Sequence, residues 1–447
     1  MRRRAFVIIG LLLAGGLGGV LTYPGTHGQG PADPPGKLPP EVIAPTPIGR
    51  ATPAVVPAAA AAPARKPAPF DRFSKYDELP DLTRQLVFAT RGGMEWLSRP
   101  GVHQSNGRFV TVDPGLGTLT EDGDFIRQAL GAFALARAAR LTGDEKYAVR
   151  SAQTILSLLA ETPKDPANPA ARKPVQTNVV CNRVGAAAHL ALAIYELPDA
   201  TPELLHCGEQ LCQFLRGQLQ ADGSVRHTEP GDPPDPGGAT RYPGPALAAL
   251  AVSHKVAPAD WKKEALARGV AFYRKQFRAD PSPGLVPWLT AAFAEMHLQT
   301  RDPVYAEAVF EMCDWLRQLQ YDSQDRARAL WRGGFPAVAD GKVVQSPPTA
   351  EAGCYALGLV EACRMIRQMD RPDAARYDQY RAAVVRAFQF LTTLQYGDEN
   401  TQHLAAHFRP AVLGAFHPSH TDGGLRVDHT AAVVAALSQY LITGADR

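Results

Sequence analysis

Apolar residues recur along the chain in two alternating patterns. In the first, a polar or aromatic opening leads into a stretch that is apolar on every side, as in a helix surrounded by protein. The fullest instance is the last, where Asp422, Arg426, Asp428 and His429 precede an apolar run over 431–437. Upstream, Glu121-Asp-Gly-Asp-Phe leads into 129–139, Asn178-Val-Val-Cys-Asn-Arg into 185–194, and Arg241-Tyr-Pro-Gly into 246–252. Pro283-Gly-Leu-Val-Pro-Trp leads into 291–296 and Thr349-Ala-Glu into 352–360. The second pattern is amphipathic and predicts helices over 79–97, 145–160, 202–220, 259–277, 303–320 and 374–395. In the last of these, Tyr377, Tyr380, Val384, Ala387 and Leu391 form one stripe. Twelve helices, alternately enclosed and half-buried, are expected.

Connection lengths arrange them. Enclosed helices pass to half-buried partners through short links at 141–144, 197–200, 256–258, 300–303 and 369–372, as antiparallel pairs require. Most return connections are long: 100–120, 162–176, 221–240, 321–348 and 396–424. A ring of six hairpins with parallel inner helices satisfies both facts, with the first outer helix beside the last inner one. The long loops then share one face with the amino ends of the inner helices, where function usually resides. The half-buried helices also end alike, in Phe214-Leu-Arg-Gly-Gln-Leu-Gln, Trp315-Leu-Arg-Gln-Leu-Gln and Phe390-Leu-Thr-Thr-Leu-Gln, which marks a repeated unit.

This pattern resembles the six-hairpin (α/α)6 toroids shared by glycosidases, polysaccharide lyases, sugar epimerases and terpenoid cyclases. Arg241-Tyr-Pro-Gly-Pro-Ala-Leu-Ala-Ala-Leu and Trp331-Arg-Gly-Gly-Phe resemble turns of bacterial members, and the likeness covers roughly 70–447. It implies an all-α toroid. Gln220-Ala-Asp-Gly-Ser-Val resembles the Gln-to-Trp repeat of terpenoid cyclases, with Val225 in place of an aromatic and no D-x-D-D acid motif elsewhere.

Composition adds limits. The chain has 447 residues, 45% hydrophobic and 20% charged, enough for a large core. A net charge of +3 with no basic cluster interleaved with aromatics gives no nucleic-acid footprint. Met1-Arg-Arg-Arg before an apolar run over 5–21 predicts export, with 1–23 either a cleaved signal or a membrane-contacting anchor. Residues 24–70, rich in Pro, Ala and Gly, read as a disordered spacer, and 71–447 as the folded toroid. The six cysteines lie in helical patterns without C-x-x-C spacing and read as buried thiols.

The inner-helix mouths bring Asp122, Asp124, Asn182, Arg183, Tyr242, Trp288, Glu351, Asp428 and His429 toward one cavity. Glycoside cleavage needs a proton donor and a second carboxylate, which Asp122, Glu351 and Asp428 can supply; the same residues can instead cap helices. A lyase needs a Tyr or His base with Asn or Arg against the substrate acid, and Tyr242, His429, His403, Asn182, Arg183 and Arg241 have those types. Trp288 and Trp331 offer flat faces to sugar rings, or pack in the core and loop. His403, His407, His417 and His420 cluster near His429, but the 403–407 spacing carries no general-base glutamate, so neither metal nor cofactor is expected. Two functions remain open: an exported carbohydrate-active enzyme, hydrolase or lyase, acting on an extracellular glycan, or a catalytically silent toroid that binds a glycan or protein.

Overall fold

The computed structural model describes residues 67–175, 182–322, 326–339 and 341–446. Residues 1–23, read from the sequence as an export signal or anchor, Cys181 and all but the last few residues of the stretch read as a spacer lie outside them.

The described chain is built from α1 (Asp81–Ser98), α2 (Phe125–Thr142), α3 (Glu145–Leu159), α4 (Arg183–Glu196), α5 (Pro202–Arg216), α6 (Gly238–Arg241) and α7 (Pro243–Val256). There follow α8 (Asp260–Ala279), α9 (Val286–Thr300), α10 (Pro303–Leu319), α11 (Ala352–Arg367), α12 (Ala374–Thr392), α13 (Arg409–Val412) and α14 (Val427–Thr443). Helices α2, α4, α7, α9, α11 and α14 form a closed inner ring, each touching the next and α14 returning to α2. Helices α3, α5, α8, α10 and α12 pack outside the inner helix that precedes them. Helix α1 packs on α14, so closely that a methyl added at Gly93 would stand 2.5 Å from Val434 Cγ2. The first 3-10 turn, Pro69–Phe73, secures the same seam: Arg72 donates to the Leu441 carbonyl at 2.7 Å and pairs with Asp446 at 2.5 Å.

The inner helices are buried almost all round because their residues are small. Alanine and glycine let neighbouring helix backbones approach; a Cβ on Gly353 would meet the Val433 backbone at 3.0 Å, and one on Gly358 would meet the Pro287 Cα at 3.0 Å. Outer helices bury one stripe each, as in α12, where Tyr380, Ala383, Val384, Ala387, Phe388 and Leu391 face inward.

The long connections depart from pure loop. Among the described residues three antiparallel hairpins occupy them: β1 (Val110–Asp113) with β2 (Thr118–Glu121), β3 (Lys164–Asp165) with β4 (Asn168–Arg172), and β5 (Ala337–Ala339) with β6 (Lys342–Val344). The first is written in the sequence as alternating Val-Thr-Val and Thr-Leu-Thr around Pro114-Gly-Leu-Gly, a period-2 signal overshadowed by the helical one. Several helix ends also move inward of the predicted limits. Helix α5 stops at Arg216 before Gly217, and α12 at Thr392.

Inside the ring, two layers close the barrel below its amino-terminal mouth. Phe133, His189 and Trp288 meet edge to face, Phe133 to Trp288 at 5.5 Å and His189 to Trp288 at 5.6 Å. At the carboxyl-terminal end every inner helix contributes to a polar layer. Arg137 pairs with Glu196 at 3.2 Å and with Glu361 at 3.9 Å, Arg364 with Glu361 at 2.6 Å and Glu295 at 2.9 Å, and Lys255 with Glu295 at 3.2 Å. Gln439 donates to Glu361 at 2.8 Å. Burial alone would raise the Glu196 and Glu295 carboxyls, but the neighbouring cations outweigh it and hold both below the usual range.

Candidate functional site

The mouth is organised by Arg127, one turn into α2. Its guanidinium meets Asp122 at 3.2 Å, Asp124 at 3.5 Å and, across the α2–α14 seam, Asp428 at 4.0 Å. Asp124 is the N-cap of α2, its Oδ1 accepting from Ile126 N at 3.0 Å and Arg127 N at 3.1 Å. Asp122 accepts from Asp124 N at 3.1 Å and so orients the cap. The 3.5 and 4.0 Å legs meet at the same Arg127 Nε, so the Oδ2 atoms of Asp124 and Asp428 are at most about 7.5 Å apart. Burial raises the Asp124 carboxyl above its ordinary range, Arg127 opposes this through its backbone N–H and its charge, and Asp122 and Asp428 add to the rise.

Asp428 caps nothing. Arg426 holds it in a two-pronged pair at 3.2 and 3.0 Å. The same guanidinium donates to His429 Nε2 at 2.9 Å, which makes Nε2 the acceptor and leaves the ring proton of neutral His429 on Nδ1. Nδ1 is buried and has no partner among the described residues. Burial lowers the His429 pKa; Asp428 opposes that and Arg426 reinforces it.

The remaining predicted residues take other places. Glu351, exposed at the start of α11, makes no cap bond; Tyr355 OH donates to it at 3.4 Å, and burial, with Glu351 beside it, raises the Tyr355 pKa. Both Glu351 and Asp428 act electrostatically on Cys354, whose burial pushes the thiol up to about 12. Tyr242 is buried at the start of α7; burial raises its pKa and Asp235 raises it further. Asn182 caps α4 through Gly185 N at 2.8 Å and donates to the His227 carbonyl at 2.7 Å. Arg183 is bound by Asp232 and by Glu229, the latter at 3.0 Å. Arg241 ends α6, exposed beside Tyr242 and Tyr355. Trp288, half-buried in the first turn of α9, belongs to the aromatic layer beneath the mouth. Trp331 packs on Tyr321 at 5.3 Å, with Arg328 over its ring at 5.2 Å. His403 lines a cleft beside the first hairpin. The mouth therefore joins Asp122, Asp428 and His429 tightly and keeps Glu351 at their edge, while Asn182 and Arg183 serve the start of α4.

Sequence reasoning missed Arg127 as the hub, Arg426 as the clamp on Asp428, and Tyr355. The i, i+3 and i, i+5 spacing from Asp124 and Asp122 to Arg127 was the available signal. Among the described residues no group of three His, Cys, Asp or Glu side chains is placed to hold a metal ion, and no helix is long and apolar enough to cross a membrane. The described cysteines, Cys207, Cys212, Cys313, Cys354 and Cys363, are free thiols.

No family model and no curated protein matches the sequence. Solved structures match over most of their length. The GH76A alpha-1,6-mannanase of Salegentibacter sp. HEL1_6 is 11% identical, covers 80% of this chain and 99% of its own, and superposes with a TM-score of 0.56. The unsaturated glucuronyl hydrolase of Bacillus sp. GL1, at 15% identity and a TM-score of 0.54, covers 78% of this chain and 95% of its own. The cellobiose 2-epimerase of Bacillus thermoamylovorans B4167, at 13% identity and 0.53, covers 78% and 98%. Together with the closed inner ring and its six outer partners, these likenesses show that the chain has the six-hairpin (α/α)6 toroid fold.

Proposed function

We propose that this protein is an exported carbohydrate-active hydrolase that cleaves a glycosidic bond at the mouth of the toroid. The observation that carries the proposal is the disposition of two carboxyls about Arg127. Asp124 is pushed toward its protonated form and is suited to give a proton to the leaving oxygen. Asp428 is salt-bridged by Arg426 and suited to act as base or nucleophile, its Oδ2 no more than about 7.5 Å from that of Asp124, a limit that admits the retaining separation and the shorter inverting ones. Lyase chemistry is less well served: Tyr242 is held in its phenol form, and Asn182 and Arg183 are already engaged. Export, through an amino-terminal signal or membrane anchor, rests on the charged head and apolar run at 1–23. The solved enzymes of this fold that act on mannan, glucuronyl or cellobiose substrates support a glycan as the partner.

The test is a panel of oligo- and polysaccharides read for new reducing ends, unsaturated uronate absorbance and epimerised products. Reducing ends from at least one glycan, lost in both Asp124→Asn and Asp428→Asn, are expected. Products appearing only as unsaturated uronates or epimers, or full turnover in both variants, would refute the hydrolytic assignment.

A further inference from the structure

Beside the mouth, the first hairpin and the last long loop enclose a second concavity of about 790 Å3. Its walls are the turn 113–117 and segments 403–408 and 421–424, with Tyr396 between them. The cleft adjoins the mouth along the chain. Val112 and Leu425 exchange backbone bonds of 2.9 and 2.8 Å, Arg426 follows at once, and Asp422 acts electrostatically on both Tyr396 and His429.

The chemistry of the lining is one-sided. Asp113 and Asp422 contribute carboxylates, while no lysine or arginine lines the cleft. Arg409, close by in sequence, is committed to the carbonyls of Leu404 and Gln402 at 3.1 and 2.9 Å. Arg241 stands at the start of α7, across the ring from α14. Both aspartates are fixed by their own loops, Asp113 accepting from Leu116 N at 3.0 Å and Asp422 from Gly424 N at 2.9 Å. Tyr396 and Phe408 add flat apolar faces, and His403 adds ring nitrogens.

We infer that this cleft is a saccharide subsite continuous with the mouth, which accepts uncharged or amine-bearing sugars and excludes those carrying uronate or sulfate. The inference rests on the carbohydrate-active reading of the mouth and narrows its substrate class. Sugar hydroxyls and ammonium groups donate charge-assisted bonds to carboxylates, and sugar C–H faces lie on aromatic rings. A sugar carboxylate would instead enter beside two fixed carboxylates with no lysine or arginine in the lining to offset them, Arg426 next to the cleft being held by Asp428.

Calorimetric titration of the full chain with mannotriose, glucosamine trisaccharide and hyaluronan tetrasaccharide at low ionic strength tests this. The first two should bind at least tenfold more tightly than hyaluronan. His403→Ala should weaken them at least fivefold, and Asp422→Asn should narrow the gap to hyaluronan at least fivefold, with Asp113→Asn as the second acid variant should Asp422→Asn misfold. Binding by none of the probes, hyaluronan binding as tight as mannotriose, or unchanged affinities in folded variants would overturn the inference. Turnover of Asp124→Asn reports on the mouth alone, so the cleft and the hydrolytic reading fail separately.

Discussion

At the scale of single residues, Asp124 caps α2 and, in the proposed hydrolysis, donates the proton, and one substitution separates the two. Asparagine caps helices as well as aspartate does, so Asp124→Asn should leave stability at neutral pH within about 1 kcal/mol while removing the proton donor and lowering turnover by at least about a hundredfold. The carboxyl also leaves a pH signature. Its folded pKa is raised, so its contribution to stability is fully present below the unfolded value and is lost as pH rises through the folded one. The melting temperature of Asp124→Asn relative to the parent should therefore improve as pH rises through that window; a constant difference would show that the carboxyl is not raised. His189 has the opposite sign. Fully enclosed beside Trp288, its ring is pushed down to about 4 by burial, partly opposed by its bond to the Gly185 carbonyl. Its contribution is present above the ordinary value of 6.5 and lost as pH falls toward 4, amounting to about 3 kcal/mol. His189→Phe should flatten the fall in melting temperature between pH 6.5 and 4. The carboxylates and His429 were legible as mouth residues because each stands at the start of an apolar run. Arg127 was not, since an arginine one turn into a helix reads as an ordinary surface residue until the ring closes beside it, and Arg426 was legible as a polar residue of the last opening but not as the partner of Asp428.

At the scale of elements, glycine explains what periodicity left open. The apolar runs predicted enclosed helices, but not how two backbones come close enough to place Asn182 and Tyr242 at one rim. At Gly185 a Cβ would overlap the Tyr242 ring, with Cε1 at 2.6 Å, and would stand 2.9 Å from Ile126 Cδ1. Gly185→Ala must therefore push Tyr242 and α7 away from α4. A cost of about 1–3 kcal/mol is expected, together with increased fluorescence or exchange signals at the mouth; an unchanged melting temperature would mean that the ring rotates freely and the contact is loose. The β-hairpins were missed for a different reason. Four-residue strands such as Val110–Asp113 carry too few alternations to stand out beside eighteen-residue helices, and that strand is held from outside by Leu425, which pairs with Val112.

At the scale of the whole molecule, closure was readable from loop lengths alone: an amphipathic first helix without a sequence partner needed the last inner helix, and α1 on α14 supplies it. The polar layer at the far end was hidden. Arg140, Lys255 and Arg364 near helix carboxyl ends suit the macrodipole and needed no other explanation. Only the closed ring brings Glu196, Glu295 and Glu361 within reach of arginines on other helices. Arg364 is the test of this layer because it joins α11 to α9 through Glu295 while also pairing with Glu361 of its own helix, both carboxylates almost fully buried. Arg364→Met keeps the volume and removes the charge, leaving Glu295 to Lys255 and Glu361 to Gln439 and the more distant Arg137. A buried carboxylate stripped of a partner costs about 3–5 kcal/mol, and the remaining partners place this loss near the lower figure, a fall of roughly 5 °C in a domain of this size. Turnover measured well below the transition should stay near the parental value, because the layer lies at the end of the barrel opposite Asp124 and Asp428. Adding Glu361→Gln to Arg364→Met should recover part of the lost stability by removing one of the stranded charges. A melting temperature untouched by the single substitution, or a double variant that melts lower still, would show that these ion pairs do not hold the ring closed.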